Sequence, residues 1–149
     1  MLEKERKFKL KFLPKGLVPK HIKQGYLMFE GKKHLRVRIT DNKLAELAFK
    51  TILNKEVKKE FEYKIPLKDA KDMYNDTNIW VEKVRYSTKF GKNKVDIDFY
   101  LNGIQVVEIE FNSPLKKLPD YCGEEVTGQA KYSNIVMALK NKNKRKNAV

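Results

Sequence analysis

The segment Glu3-Lys4-Glu5-Arg6-Lys7-Phe8-Lys9-Leu10 decides the fold of this chain. Consecutive side chains of a β-strand point to opposite faces of the sheet, so Glu3, Glu5 and Lys7 share one face. Apolar side chains, beginning with Phe8, occupy the other face. A single strand of this kind is typical of a sheet with one side in water. Because the same alternation recurs along the chain, it has to be explained by the architecture as a whole.

The alternation predicts a mainly β (α+β) protein with eight strands. They span residues 2–12, 24–30, 33–40, 44–51, 59–65, 80–88, 93–101 and 104–112. Helical spacing of apolar residues predicts helices near 18–23, 67–75 and 125–141, and Thr127 is a plausible cap of the last. Residues typical of turns separate several strands, and Asn102-Gly103 favours a type I′ hairpin.

Two architectures fit this alternation, and same-sign charge pairs favour the second. In the first, a sheet packs its apolar face on helices and leaves its charges in water. In the second, the strands form a closed eight-stranded antiparallel β-barrel, with apolar side chains under a few outer helices and a charged lumen. Like charges two residues apart repel each other, whereas a lumen can oppose acidic pairs to basic ones. The pairs are Arg36/Arg38, Lys83/Arg85, Asp96/Asp98 and Glu108/Glu110.

The charged side chains suit a divalent metal and a phosphate ligand. Carboxylates two residues apart on one strand face supply the oxygen ligands that Mg²⁺ and Mn²⁺ prefer. Zinc is disfavoured, since the chain has two histidines and one cysteine. Arginine grips phosphate oxygens with two parallel hydrogen bonds, and lysine adds a point charge. A metal beside a cationic wall is what phosphoryl transfer requires.

Composition indicates one basic domain. Lysine and arginine outnumber acidic residues by 33 to 19, for a formal net charge of +14. We expect a domain over residues 1–140 and a basic, flexible tail over 141–149, with non-specific binding of polyanions to both. The chain lacks an apolar run of membrane-spanning length and a signal peptide, which predicts a cytoplasmic protein without membrane contact.

The remaining chemistry-bearing residues are assigned structural roles. Cys122, the single cysteine, fits a reducing cytoplasm and is interpreted as a packed thiol rather than a nucleophile. His21 and His34 are predicted to lie at the surface. Outer packing, rather than stacking on a nucleobase, is predicted for four aromatic residues, Phe49, Trp80, Tyr86 and Phe111.

Motifs spread in order over residues 3–139 resemble the CYTH superfamily, the triphosphate tunnel metalloenzymes. Glu3-x-Glu5-x-Lys7 resembles the family signature, and its Glu-Arg-Lys-Phe form resembles the bacterial inorganic triphosphatase branch. One departure is Lys131-Tyr132, where the family pattern has Arg-Tyr, so that charge is kept but bidentate geometry is not. The other matching segments are Gln24–Tyr26, Leu35–Arg38, Lys50, Glu60–Tyr63, Val81–Tyr86, Asp96–Asp98, Val107–Phe111 and Gly123–Thr127.

The resemblance implies an eight-stranded tunnel that uses a divalent metal, Mg²⁺ or Mn²⁺, on a triphosphate. The implied metal ligands are Glu3, Glu5, Glu108 and Glu110. The implied triphosphate-binding cations are Lys7, Arg36, Arg38, Lys50, Lys83, Arg85 and Lys131. The positions implied to act in catalysis are Glu5, Tyr26, Glu60, Glu62, Lys83, Arg85 and Asp98.

The main hypothesis is the metal-dependent hydrolysis of inorganic triphosphate to diphosphate and phosphate. Alternatives within the fold act on a nucleotide or a related triphosphate, as a class IV adenylate cyclase, a nucleoside or thiamine triphosphatase, or an RNA 5′-triphosphatase. A non-catalytic module that binds polyphosphate or nucleic acid is an alternative of another class.

Overall fold

A computed structural model of the chain describes residues 1–144 and residue 146. The strands are β1 (Leu2–Leu10), β2 (Pro19–Glu30), β3 (Lys33–Thr40), β4 (Leu44–Ile52), β5 (Val57–Lys64), β6 (Trp80–Phe90), β7 (Asn93–Tyr100), β8 (Gln105–Glu110) and β9 (Cys122–Glu125). The helices are α1 (Leu67–Asp76) and α2 (Asn134–Lys140), and a short 3-10 helix spans Ala130–Tyr132.

Eight of these strands pair antiparallel into a closed ring. Their order is β5-β4-β3-β2-β6-β7-β8-β1, and β1 pairs again with β5. One edge of β1 lies along β8, with Glu5 opposite Glu110. Its other edge is shared, because β5 pairs with Leu2–Lys4 and β9 pairs with Phe8 and Leu10. The predicted tunnel is confirmed, with β9 as an addition.

The outer face of the ring is apolar, as the alternation predicts. Helix α1 covers β2, β3 and β4, where Tyr74 and Ala70 pack against Val37, Ile39 and Trp80. On the opposite side, loops cover the outer faces of β1, β7 and β8. The buried residues there are Phe8, Val95, Ile97, Val107, Ile109, Tyr121 and Cys122. Apolar burial of this kind supplies most of the driving force for folding, at roughly 25 cal/mol per Å².

Helix α2 fills one end of the tunnel with apolar side chains. Val81, Tyr100 and Val106 occupy lumen-facing positions at that end, and they pack against Met137 and Ala138 of α2. The charged part of the lumen is therefore bounded by an apolar floor, which prevents water from passing along the whole tunnel at that side.

The helix predicted at 18–23 is wrong, because these residues belong to β2. The helical spacing of Val18 and Ile22 is equally compatible with a strand, and pairing with β6 decides between them. Seven residues of β2 are in register with β6, from Pro19 opposite Tyr86 onward. Long-range pairing here overrides a short local pattern.

The long helix predicted at 125–141 is also wrong. Glu125 ends β9, Gly128 takes a positive φ of 75°, and α2 begins only at Asn134. Thr127 does not cap a helix. Its hydroxyl accepts a hydrogen bond from the backbone N–H of Lys7 at 2.9 Å, which joins this segment to β1.

The type I′ turn occurs in a different hairpin from the one predicted. Asp41 and Asn42 both have a φ of 53°, and Lys43 N–H donates to the carbonyl of Thr40 at 3.0 Å. Two consecutive positive φ values are what a type I′ turn requires. In the predicted Asn102-Gly103 turn only the glycine has a positive φ, of 90°.

The predicted basic tail lies partly outside the described residues, at Arg145 and Asn147–Val149. The described part contacts the domain. The Asn141 amide donates to the Trp80 carbonyl at 2.9 Å, and the Lys146 ammonium donates to the Tyr74 and Thr77 carbonyls. A free tail is therefore not observed for Asn141 and Lys146. Within residues 1–144 and 146, no helix combines the length and the apolar character needed to cross a membrane.

Gly25 on β2 provides a test of the packing under α1. A Cβ atom at this position would lie 2.7 Å from Cγ2 of Thr77, whose hydroxyl donates to the Tyr26 carbonyl at 2.7 Å. We expect Gly25→Ala to lower the free energy of unfolding by about 1–3 kcal/mol, since an overpacked core must shift. Adding Thr77→Ser removes Cγ2 but keeps the hydroxyl, so the double variant should recover stability in urea unfolding. A double variant as unstable as Gly25→Ala would contradict this explanation.

Cys122 should react slowly with thiol reagents in the folded protein. The thiol is buried, and burial raises its pKa to about 11. Because only the thiolate reacts, the alkylation rate of native protein should rise roughly tenfold per pH unit between about pH 8 and 10. The protein unfolded in guanidinium serves as the control and should react far faster at pH 8. Equal rates for native and unfolded protein at pH 8 would refute the interpretation as a packed thiol.

Candidate active site

A charged cavity of about 90 Å³ lies inside the ring. Among the described residues it is lined by carboxylates and cations in near balance, together with Tyr26 and Asn134. The carboxylates are Glu3, Glu5, Glu60, Glu62, Asp96, Glu108 and Glu110. The cations are Arg36, Arg38, Lys50, Lys58, Arg85 and Lys94. We call this cavity the lumen.

Three of the predicted metal ligands form a compact carboxylate cluster. Oxygen atoms of Glu3, Glu5 and Glu110 all lie within 4.8 Å of one another. Strand alternation places Glu3 and Glu5 on one face, and the register of β1 with β8 sets Glu110 opposite Glu5. Three convergent carboxylates fit Mg²⁺ or Mn²⁺, which prefer hard oxygen ligands. We call these residues the carboxylate trio.

Glu108, the fourth predicted ligand, is not a member of the carboxylate trio. Its Oε1 lies 3.5 Å from Nζ of Lys7, and its Oε2 lies 4.0 Å from the Arg85 guanidinium. Although burial acts to raise the pKa of Glu108, Lys7 and Arg85 hold it well below its usual value. Glu108 is thus an ionised counter-charge for two cations.

Glu3, a member of the carboxylate trio, is half-buried beside a further carboxylate, Glu60. Burial, a hydrogen bond with Glu60 and the charge of Glu60 raise the pKa of Glu3 to about 8. Burial would also raise the pKa of Glu60, but the bond with Glu3 and the nearby Lys50 and Arg36 bring it down to about 2. Of the two carboxylates, Glu3 is therefore the one that is protonated more readily.

Lys58 is a site residue that the sequence analysis missed. Its Nζ lies 2.7 Å from Oε1 of Glu5, and although burial opposes the shift, Glu5 and Glu108 raise its pKa. Lys58 continues the alternation of Glu60 and Glu62, but the predicted strand began one residue too late, at 59. The structure starts β5 at Val57.

Arginines line the wall opposite the carboxylate trio. The Arg36 guanidinium bridges Glu60 at 3.4 Å and Glu62 at 3.0 Å. The Arg38 Nε donates to the side-chain oxygen of Gln24 at 2.8 Å. Burial beside two other arginines lowers the pKa of Arg38, which stays protonated at neutral pH. Burial, with the charges of Arg36 and Lys58, likewise lowers the pKa of Lys50 to about 8.

Lys83 and Asp98 lie behind the lumen rather than on its surface. Both side chains are 0% exposed, and Lys83 Nζ lies 3.0 Å from Asp98 Oδ2. Asp98 also binds Arg85 in bidentate fashion, at 2.7 Å and 2.8 Å. Burial and the charge of Arg85 lower the pKa of Lys83 to about 7, while Asp98 acts against this shift. The pair of Lys83 and Asp98 supports Arg85, which does reach the lumen.

A wider cavity of about 380 Å³ opens from the lumen where β5 and β9 leave β1. Among the described residues, its charged lining consists of one carboxylate, Glu5, and five lysines. We call this cavity the mouth. The lysines are Lys7, Lys32, Lys50, Lys55 and Lys58. A cationic entrance attracts anions and raises their local concentration.

His34 lines the mouth, so its predicted surface position is wrong. It is 6% exposed, and its ring packs edge-on against Tyr26 with centroids 5.8 Å apart. Burial and the charge of Lys50 lower the pKa of His34. His21 is half-exposed and lies 2.8 Å from Glu82, on the outside of the ring.

Of the predicted phosphate-binding cations, Lys131 is not brought to the site. It is exposed in the 3-10 helix, and its ammonium lies 5.7 Å from the centre of the Tyr132 ring. Lys7 approaches from the other side of this segment, where its Nζ donates to the Tyr132 carbonyl at 2.8 Å. Tyr26 is 6% exposed and lines both cavities, as expected of a residue near the active site.

Comparison with known proteins identifies the family. Residues 1–137 match the CYTH domain. The chain belongs to the CYTH family. An inorganic triphosphatase of Acetivibrio thermocellus is 34% identical over 132 residues, covering 83% of this chain and 81% of that protein.

Solved structures of similar proteins have the same fold as this CYTH protein. The crystal structure of the inorganic triphosphatase NE1496 has a TM-score of 0.66 at 29% identity, covering 92% of this chain and 94% of that chain. A protein of Pyrococcus furiosus has a TM-score of 0.63 at 25% identity, covering 75% of this chain and 80% of that chain.

Asp98 should be essential for the stability of this CYTH fold. Asp98→Asn leaves buried Lys83 without its ion-pair partner and removes the bidentate partner of Arg85, and we expect it to lower the free energy of unfolding by about 3–5 kcal/mol. Urea unfolding measures the loss. Asp96→Asn is the matched control, since Asp96 lies on the lumen surface and pairs with Arg85 at a longer 3.3 Å. Equal losses for the two variants would argue against Asp98 as the central counter-charge.

Proposed function

We propose that this CYTH protein hydrolyses inorganic triphosphate to diphosphate and phosphate, with Mg²⁺ or Mn²⁺ as cofactor. The observation that carries the proposal is the carboxylate trio facing a wall of arginines and lysines inside one closed lumen. Such a site offers a cation position beside a polyanion position, since Lys58 Nζ lies 2.7 Å from Oε1 of Glu5. The two triphosphatase relatives support the same reaction.

The carboxylate trio is proposed to hold the metal, and Glu108 is not included. Glu3, Glu5 and Glu110 converge within 4.8 Å, whereas Glu108 is engaged by Lys7 and Arg85. A bound divalent cation would neutralise charge on the phosphoryl oxygens and so favour attack by water. The convergence of three carboxylates is the observation that favours a cation at this position.

The cations are proposed to bind the phosphates while their carboxylate partners keep them in position. Arg36 and Arg85 reach the lumen from β3 and β6, and each presents a fork of N–H donors. Lys7, Lys50 and Lys58 line the side toward the mouth. Arg38 also lines the lumen, near Arg36 and Arg85. These residues surround a phosphate chain from several strands, which fixes its direction along the tunnel.

Several predicted catalytic residues are proposed to position other groups. Lys83 and Asp98 hold Arg85 from behind, and Glu60 and Glu62 hold Arg36. Burial raises the pKa of Tyr26, so its hydroxyl remains a donor at neutral pH and can orient a phosphoryl oxygen or the attacking water. Accurate placement of reacting groups accounts for much of the rate in phosphoryl transfer.

The alternative nucleotide activities stay predictions with little support from the site. The aromatic side chains that line the mouth, Tyr26 and His34, pack on each other. Trp80 packs under α1 on the outer face of the ring, as predicted. Non-specific binding of polyanions to the basic surface also stays a prediction, based on the formal net charge of +14.

The first test is phosphate release from tripolyphosphate, compared with ATP, GTP and thiamine triphosphate, in Mg²⁺, Mn²⁺ or EDTA. We expect fast, EDTA-sensitive release from tripolyphosphate and little from ATP. Glu5→Gln should lower the rate roughly 100-fold or more, because it removes a charge from the proposed metal site. Glu124→Gln is the control, since Glu124 is 66% exposed on β9 and pairs with Lys9.

Two outcomes would change the proposal. Preference for a nucleotide would favour the alternative activities, and a cyclic product would then be sought. Failure to release phosphate from all four triphosphates with either metal would rule out the enzyme.

A further inference from the structure

We propose that Asn134 is a further substrate-binding residue, whose side-chain N–H groups donate to a phosphoryl oxygen between the lumen and the mouth. The inference rests on the proposed function, because it takes the occupant of the lumen to be a triphosphate. The alternation of apolar and charged residues does not single out Asn134. The segments that resemble the CYTH family also do not include it.

Asn134 lies where the two cavities meet. It is the first residue of α2, and it lines both the lumen and the mouth. The other residues shared by both linings are Glu5, Tyr26, Lys50 and Lys58. A ligand that passes from the mouth into the lumen therefore moves past the Asn134 side chain.

The orientation of the Asn134 amide is fixed by its neighbours. Its Oδ1 lies 3.0 Å from Nζ of Lys83 and accepts a hydrogen bond from the Tyr100 hydroxyl at 2.6 Å. Protonated Lys83 has only donors, so it favours the amide oxygen on its side. The amide nitrogen then points the other way. The assignment rests on this hydrogen-bond network rather than on telling nitrogen from oxygen by position.

The amide nitrogen is left free for a ligand. Within residues 1–144 and 146, the Asn134 nitrogen donates no hydrogen bond to a protein group, and it is not among the side-chain atoms that are both unpaired and sealed from solvent. Two N–H donors thus reach the cavity surface. An acceptor is required to satisfy them, and the lysines nearby favour an acceptor that is an anion.

A phosphoryl oxygen matches these requirements. It carries negative charge, it only accepts hydrogen bonds, and the neighbouring Lys50 and Lys58 complete its surroundings. Hydrogen bonds to charged groups contribute more than neutral ones, so loss of this contact should weaken triphosphate binding roughly 10-fold to 100-fold.

The experiment compares Asn134→Asp, Asn134→Ala and a charge control, Gln129→Glu. Asn134→Asp keeps an oxygen for Lys83 and Tyr100 but replaces the donors with a second oxygen. Gln129 also lines the mouth, so Gln129→Glu adds the same charge without touching Lys83. Calorimetry with tripolyphosphate in EDTA gives the Kd without turnover, steady-state kinetics with Mg²⁺ or Mn²⁺ gives KM and kcat, and melting temperature reports folding.

We expect Asn134→Ala to raise the Kd about 10-fold, and Asn134→Asp to raise it further while keeping the melting temperature near that of the wild type. Gln129→Glu should raise the Kd only a few-fold. The KM values should follow the Kd values.

Equal weakening by Asn134→Asp and Gln129→Glu would overturn the proposal, since long-range charge would then explain both. So would an unchanged Kd for Asn134→Ala with a lowered melting temperature, which indicates a structural role alone. A wild-type protein that binds tripolyphosphate but releases no phosphate would overturn the proposed function and leave the comparison of Kd values valid. A wild-type protein that neither binds tripolyphosphate in EDTA nor releases phosphate with Mg²⁺ or Mn²⁺ would overturn both.

Discussion

Compensation of buried charge is the constraint on which this structure depends. Closing eight strands into a ring turns one face of every strand toward a small lumen, where a charge without a partner is costly. Most of these charges find a partner on the adjacent strand or the next but one: Asp98 pairs with Lys83 and Arg85, and Arg36 pairs with two carboxylates. Glu3 differs, because burial and the neighbouring Glu60 raise its pKa. Glu3 also belongs to the carboxylate trio, whose side chains suit a metal.

Apolar side chains stabilise the ring in two places, on its outer face and at one end of the tunnel. Outside the ring, α1 covers the outer face of β2, β3 and β4 in part, and loops cover that of β1, β7 and β8, which makes closure favourable. At one end of the tunnel, the lumen-facing residues are apolar and pack against apolar side chains of α2. Asn134 stands at the start of α2, so the element that fills the end of the tunnel also orients Lys83. Packing and ligand binding are thus joined in one short helix.

The sequence was sufficient to predict the strands and their faces, because alternation is a local property that survives in the folded chain. Prediction from the sequence failed where pairing with residues distant in the chain determines the local structure. Residues 18–23 have the spacing of a helix but pair with β6, and residues 125–141 break at Gly128. For the site, alternation indicates the direction of a side chain but not its depth or its partner. The family resemblance implied Lys83 as a phosphate-binding cation and Glu108 as a metal ligand, whereas Lys83 is fully buried against Asp98 and Glu108 pairs with Lys7 and Arg85.

The division of one edge of β1 between β5 and β9 affects the order in which the strands can pair while the chain is synthesised. Three residue pairs join β1 to β5, whereas its longer ladder of five pairs requires β8, near the far end of the chain. Contacts of such high sequence separation form slowly, and open strand edges invite association in the meantime. Because β1 is made before β8, this ladder cannot form until β8 has been synthesised. Glu3, Glu5 and Lys7 enter a lumen only when the ring closes, so an incomplete nascent chain carries no partly formed site.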